Sequence, residues 1–306
     1  MKTQITRLRL DSLGRDTMFA QALHIWHQTV GEAGIERGLK ALEAICDAAT
    51  NLYFTDMNAS TPLAFRLKTF RQAFDLKHDR GQEIGLYPDR KYVDDVLIPN
   101  YMATLSEGRP ALRRIMAPVQ GRFAVYEGLF LPNFDRTGRR SLSLSRLLFL
   151  AEDIDGDVLT ALSARERQSL DHLTIGLSAK QIAALLKLSG RTVEHHIESI
   201  KAKLSVRNVS HAVAKNVILS LGGDRSARYD APSPQGGRLS LREGQCLNLI
   251  ASGRSSRYIA SELGISAKSV EKYIVTLKGK LGARNAAQLA AKGVLAVTAS
   301  FAETAA

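Results

Sequence analysis

The sequence predicts an α+β chain: an antiparallel sheet with helices in the first half, followed by two all-α units of four short helices each. Three observations carry this expectation. The 47 residues from Leu162 and the 47 from Leu239 align without a gap and share 20 identical positions, so one supersecondary unit is used twice. Within each copy, apolar residues recur at helical spacing between serine, asparagine and glycine punctuation. The first half instead carries alternating runs, FRLKTF at 65–70, FAVYEGLFL at 123–131 and SLSLSRLLFL at 141–150, with the period of strands.

A chain of 306 residues is long enough for several cores. Its two cysteines, Cys46 and Cys246, stand too far apart in the sequence to suggest a disulfide framework or a cysteine metal site. No run approaches the roughly 18 apolar residues of a membrane span, and the opening MKTQITRLRLDSLGRD lacks the apolar centre of a signal peptide. A soluble, cytoplasmic protein without a membrane partner is expected. The net charge of +12 is unevenly spread: residues 1–161 carry 21 basic and 20 acidic groups, residues 162–306 carry 21 basic and 10 acidic. Nearly all the excess lies in the repeated half, which points to a polyanion, and to nucleic acid first.

Each copy opens with a capping box, Ser163 with Glu166 and Ser240 with Glu243, in which side chains satisfy backbone N–H groups at a helix start. Gly176 and Gly253 end the first helix. Ser178 and Ser255 cap the second, whose inner stripe is Ile182, Ala183 and Leu186 or Ile259, Ala260 and Leu263. Ser189 and Ser266 cap the third, with Val193, Ile197, Ile200 and Leu204 or Val270, Ile274, Leu277 and Leu281 inward. A fourth helix follows Arg207-Asn208 and Arg284-Asn285. The second and third helices with their short turn form a helix-turn-helix pattern.

The phrases L-S-x-R-E-x-Q-x-L, G-x-S-x-x-x-I-A-x-x-L, S-x-x-[TS]-V-E and K-x-K-L-x-x-R-N, present in both copies, resemble the LuxR-type (GerE-like) DNA-binding domain. The resemblance implies that the third helix enters the major groove of double-stranded DNA and that the fourth supports dimerisation. Carried onto this sequence, the DNA-facing candidates are Arg191, Thr192, Glu194, His195, His196, Lys201, Lys203 and Arg207 in copy one. In copy two they are Lys268, Ser269, Glu271, Lys272, Tyr273, Lys278, Lys280 and Arg284. The base-facing set, Glu194, His195 and Glu198 against Glu271, Lys272 and Val275, is more acidic than the family norm. A carboxylate there either accepts from cytosine N4 or repels phosphate. Lys201, Lys203, Arg207, Lys278, Lys280 and Arg284 suit phosphate contacts, and His196 and Tyr273 suit packing or a phosphate.

The segment GGDRSARYDAPSPQGGR between Leu221 and Leu239 reads as a linker of 17 residues, with a root-mean-square reach of about 23 Å. Successive major grooves about 34 Å apart lie within its full extension, so the two units could do within one chain what two subunits do in a dimer. In the first half, Lys91 to Leu105 reads as a helix and the runs on either side of NFDRTGRR as a hairpin. The strand, helix, strand and hairpin order, with GRFAVYEGLFLPNFDRTGR and SLSLSRLLF, resembles a PAS-type sensor. The boundaries implied are a helical segment at 1–45, the PAS-like domain at 46–157, LuxR-type domains at 158–222 and 239–300, and the linker at 223–238. His24 and His27 flank Trp26 at a spacing that haem or a metal could use, but packing and surface roles are favoured there, as for His78.

The reading that follows is a bacterial DNA-binding transcription regulator in which a PAS-like sensor controls two tandem helix-turn-helix domains. A protein-binding adaptor, in which one or both units no longer bind DNA, stays open as the alternative. No catalytic signature occurs, so no enzyme activity, metal or cofactor is expected. The first half lacks both the receiver pattern and the aromatic and aspartate pattern of lactone-binding relatives. An unidentified small molecule or protein at the PAS-like domain, and a homodimer, remain open.

Overall fold

The computed structural model describes residues 3–13, 17–29, 34–47, 49–73, 82–136, 138–151, 156–221 and 239–299. His78 and the linker at 223–238 lie outside them. Contacts divide the chain into two units, one holding Thr3–Gln120 and Ala124–Leu148, the other built chiefly from residues after Phe149. Among the described residues no helix is long and apolar enough to cross a membrane.

The first unit contains a seven-stranded sheet in the order β1-β5-β6-β7-β2-β3-β4. Its strands are β1 (Gln4–Leu8), β2 (Thr50–Asp56), β3 (Arg66–Arg71), β4 (Gln82–Glu83), β5 (Ala111–Val119), β6 (Arg122–Asp135) and β7 (Gly138–Ala151). β2 pairs antiparallel with both β3 and β7, with Phe54 opposite Leu142. Gln120 and Gly121, both at positive φ, link β5 to β6, and a link of two residues joins only antiparallel neighbours.

Residues alternate between two covered faces. Leu52, Leu112, Leu129, Leu131, Leu142 and Leu144 pack with Phe19 of α1 (Met18–Thr29) and Leu42 of α2 (Gly34–Ile45). Because both faces are covered, the middle of β6 is buried without a break. The helix expected from Lys91 to Leu105 is present as α3 (Arg90–Tyr92), a wider π-helical stretch (Val93–Leu97) and α4 (Ile98–Glu107). Its inward residues Tyr92, Val96, Asn100 and Tyr101 meet Tyr53, Leu67, Tyr126 and Phe130 of the other sheet face around a cavity of about 20 Å³, room for roughly one water. The Oδ1 of Asn100 is buried there without a partner.

The segment before residue 46 is not helical throughout: β1 stands at the sheet edge, with Ile5 opposite Ile115 of β5. The sequence hid β1, which is short, and β5, whose apolar run is interrupted by Arg113 and Arg114. In β5 those charges are neutralised inside the fold, Arg113 by Glu107 at 3.2 Å and Arg114 by Glu127 at 2.5 Å. Glu127 also meets Arg146 at 3.0 Å. Burial opposes ionisation of Glu127, but Arg114 and then Arg146 outweigh it and hold its carboxyl below the usual range. Trp26 donates its indole N–H to the Pro132 carbonyl, and His24 lies against Gln28; among the described residues no cluster of histidine, cysteine and carboxylate could hold a metal.

From residue 156 onward the described part of the second unit contains helices and no strand. Copy one comprises α5 (Ala164–Thr174), α6 (Ala179–Leu186), α7 (Gly190–Lys203) and α8 (Val209–Ser220); copy two comprises α9 (Leu241–Ala251), α10 (Ser256–Leu263), α11 (Ala267–Leu281) and α12 (Ala286–Ala299). Both expected capping boxes form, and Ser178, Ser255, Ser189 and Ser266 each accept the backbone N–H expected of an N-cap. Leu170, Ile182, Val193, Ile200 and Val213 make up the core of copy one, and Leu247, Ile259, Val270, Leu277 and Ala290 occupy the corresponding places in copy two.

Candidate nucleic-acid interface

In the second unit the fourth helices are buried almost all round. In α8, even Lys215 and Asn216 are buried, which a helix reaches only when both its sides are packed. Its own domain covers one side through α5 and α7; the other side lies on α12, and α8 also meets α9 as α12 meets α5.

The contact is reciprocal. Asn208 caps α8 by accepting from the His211 N–H, and its Nδ2 donates to the Gly253 carbonyl at 3.0 Å. Asn285 caps α12 by accepting from the Gln288 N–H, and its Nδ2 donates to the Gly176 carbonyl, also at 3.0 Å. In the gapless alignment Asn208 corresponds to Asn285 and Gly176 to Gly253, so the same contact is made in both directions, as across a two-fold axis. The carbonyls just before the glycines are used as well: Arg207 donates to Ser252 at 2.9 Å and Gln288 to Ile175 at 3.0 Å.

The glycines are needed for close approach as well as for helix termination. Gly176 has φ +90° and Gly253 φ +73°, and an added Cβ would stand 2.7 Å from Gln288 or 2.9 Å from His211. Sequence reasoning missed this surface. Its signal was present in the glycine and the Arg-Asn pair that both copies retain, but within one copy each has a sufficient local role.

The third helices carry the DNA-facing candidates. In α7, Arg191, Glu194 and His195 are exposed and His196 is half-buried; in α11, Lys268, Glu271 and Lys272 are exposed and Tyr273 is half-buried. Thr192 and Ser269 each face the capping serine, at 2.8 Å and 2.9 Å between hydroxyl oxygens. Lys201 meets Glu198 at 2.7 Å, Lys278 is half-buried, and Arg284 is exposed.

Three of the cations selected for phosphate contacts are tied to residues outside their own helix. Lys203 meets Glu166 at 2.8 Å and Lys280 meets Glu243 at 2.8 Å, tying each third helix to the capping box of its first, while Arg207 joins the copies. Burial works against the charged form of Glu166, but hydrogen bonds from Lys203, Ser199 and Ser163 prevail and hold its pKa down to about 2. Glu243 is lowered in the same sense by Lys280 and Ser240, against its own burial.

The geometry defines a helix-turn-helix protein in which the motif occurs twice. Residues 160–215 and 238–292 each match the family described as bacterial regulatory proteins, luxR family. The chain is 39% identical over 83 residues to a probable transcriptional regulatory protein, SgaR, of Hyphomicrobium methylovorum, a match covering 26% of this chain and 39% of that protein. It is 43% identical over 63 residues to the nitrate/nitrite response regulator protein NarP of Escherichia coli, covering 21% and 28%. The chain thus spans well under half the length of these relatives. A solved Vibrio cholerae VqmA–ligand–DNA complex is 16% identical, with 86% of this chain and 88% of that chain covered at a TM-score of 0.28.

Proposed function

We propose that this chain is a DNA-binding transcription regulator in which one polypeptide supplies both members of the helix-turn-helix pair, under the control of the PAS-like first half. The observation that carries the pairing is the reciprocal contact of Asn208 with Gly253 and Asn285 with Gly176. A homodimer of such units makes a symmetric interface between identical surfaces; here duplication supplies the second surface in the same chain. α7 and α11 would enter successive major grooves, with Arg191, Lys201, Lys268, Lys272, Lys278 and Arg284 as the cations available to phosphate. The net charge of +11 over residues 162–306 agrees with that partner.

The adaptor reading draws on the carboxylates Glu194, Glu198 and Glu271 of the third helices, which are exposed. One experiment separates the two. Binding to genomic DNA fragments is measured between about 50 and 200 mM salt, where a protein making six to ten phosphate contacts loses roughly 10³ to 10⁵ in affinity. Steep loss with salt is the expected result; no DNA binding at the lower salt would favour the adaptor.

A further inference from the structure

A homodimer presents the same reading surface to both halves of its site, because one sequence makes both subunits. Two copies in one chain are free of that constraint. Of the aligned positions on the exposed face of the third helix, Arg191 and Lys268, Thr192 and Ser269, and Glu194 and Glu271 retain their chemistry, whereas His195 faces Lys272 and Glu198 faces Val275 in the alignment. Val275 is 69% exposed, an apolar side chain beside the exposed Glu271 and Lys272. Glu198 is an exposed carboxylate held by Lys201 at 2.7 Å.

The surroundings diverge in step. Glu271 is anchored by the Ser256 hydroxyl at 2.7 Å, where copy one has Ala179. At the start of α10, Arg254 lies over the Tyr258 ring at 4.5 Å, where copy one has Leu177 and Gln181.

We propose that this chain reads a non-palindromic operator and binds it in one orientation. The half-site under α11 presents a thymine methyl to Val275, where the half-site under α7 presents the N4 amino group of cytosine to Glu198. The inference rests on the paired DNA-binding function proposed above. Its chemistry is direct: a carboxylate accepts from cytosine N4 but meets only an acceptor at thymine O4, while valine packs on the thymine methyl and leaves a cytosine amino group unpaired. Turning the chain around would place both residues on the wrong base, at about a tenfold penalty each and roughly a hundredfold together. The bound chain therefore has a fixed polarity along the duplex.

The test is selection of binding sites from a random duplex library by the full chain and by the variants Val275→Glu and Glu198→Val, both at exposed positions, with folding of each followed by circular dichroism. The wild type is expected to enrich two unlike half-sites about one helical turn apart. Val275→Glu should move one base of one half from thymine to cytosine and leave the other half unchanged; Glu198→Val should make the converse change in the other half. A palindromic wild-type site, or variants that enrich the wild-type sequence, would overturn the proposal while leaving paired binding intact. Enrichment of a single half-site, or of none, would overturn it by removing the pairing on which it rests.

Discussion

Asn208 uses its two side-chain atoms in different domains: Oδ1 caps α8 of its own copy, and Nδ2 holds the Gly253 carbonyl of the other at 3.0 Å. Cap and interface can therefore be separated by chemistry. Asn208→Asp keeps the capping oxygen and turns the donor into a second acceptor facing a carbonyl, whereas Asn208→Ala removes both functions. The alanine variant should lose about 1 to 2.5 kcal/mol of stability. The aspartate variant should retain helix content yet show faster hydrogen exchange along both α8 and α12.

Gly253 and Gly264 allow steric crowding to be measured apart from backbone strain. Both have positive φ, +73° and +62°, but a Cβ at Gly264 would meet nothing within 4 Å, whereas one at Gly253 would meet His211 at 2.9 Å. Gly264→Ala should cost about 1–2 kcal/mol for the left-handed conformation alone. Gly253→Ala should cost roughly 1–3 kcal/mol more, and thermal melts of the two variants measure the difference.

Lys187 corresponds to Gly264 in the alignment and adopts the same conformation, with φ +53°. Copy one thus carries a strain that copy two avoids. Lys187→Gly should stabilise copy one by about 0.5–1 kcal/mol, the relieved strain being partly offset by the freer unfolded chain. A fall in melting temperature would contradict this.

Glu166, with its pKa held down to about 2, links stability to pH. A carboxyl whose folded pKa is depressed contributes its stability above the unfolded value near 4.5, and that contribution is lost as pH falls from there through about 2. The stability gap between wild type and Glu166→Gln should therefore be widest at neutral pH and close across this window. Since Lys203 is the partner, Lys203→Ala should lower stability more than Lys201→Ala, and Lys201→Ala should reduce the salt dependence of DNA binding more.

The helices of the second unit were legible because their signals are local. Ser163, Ser178, Ser189 and their counterparts cap where the sequence places them, and the inner stripes follow one period. The pairing of the copies was not legible, since it depends on Asn208 and Gly253 meeting across a boundary that no periodicity marks. The inward turn of Lys203 and Lys280 was hidden for a related reason: a capping glutamate looks satisfied locally, yet it still accepts a lysine from another helix. In the first unit β6 and β7 could be read from apolar content and a turn between them. β5 could not, because Arg113 and Arg114 look like a solvated pair until Glu107 and Glu127 are brought beside them.

If one chain supplies both members of the DNA-binding pair, the number of chains per protected half-site is fixed. Native mass spectrometry of the chain on its selected duplex gives the number of chains, and hydroxyl-radical footprinting of the same complex gives the number of half-sites. The expected result is one chain for every two half-sites, spaced about one helical turn apart, with the ratio unchanged if the first half dimerises. One chain for every single half-site, with the footprint unaltered when either α7 or α11 is disrupted, would contradict it.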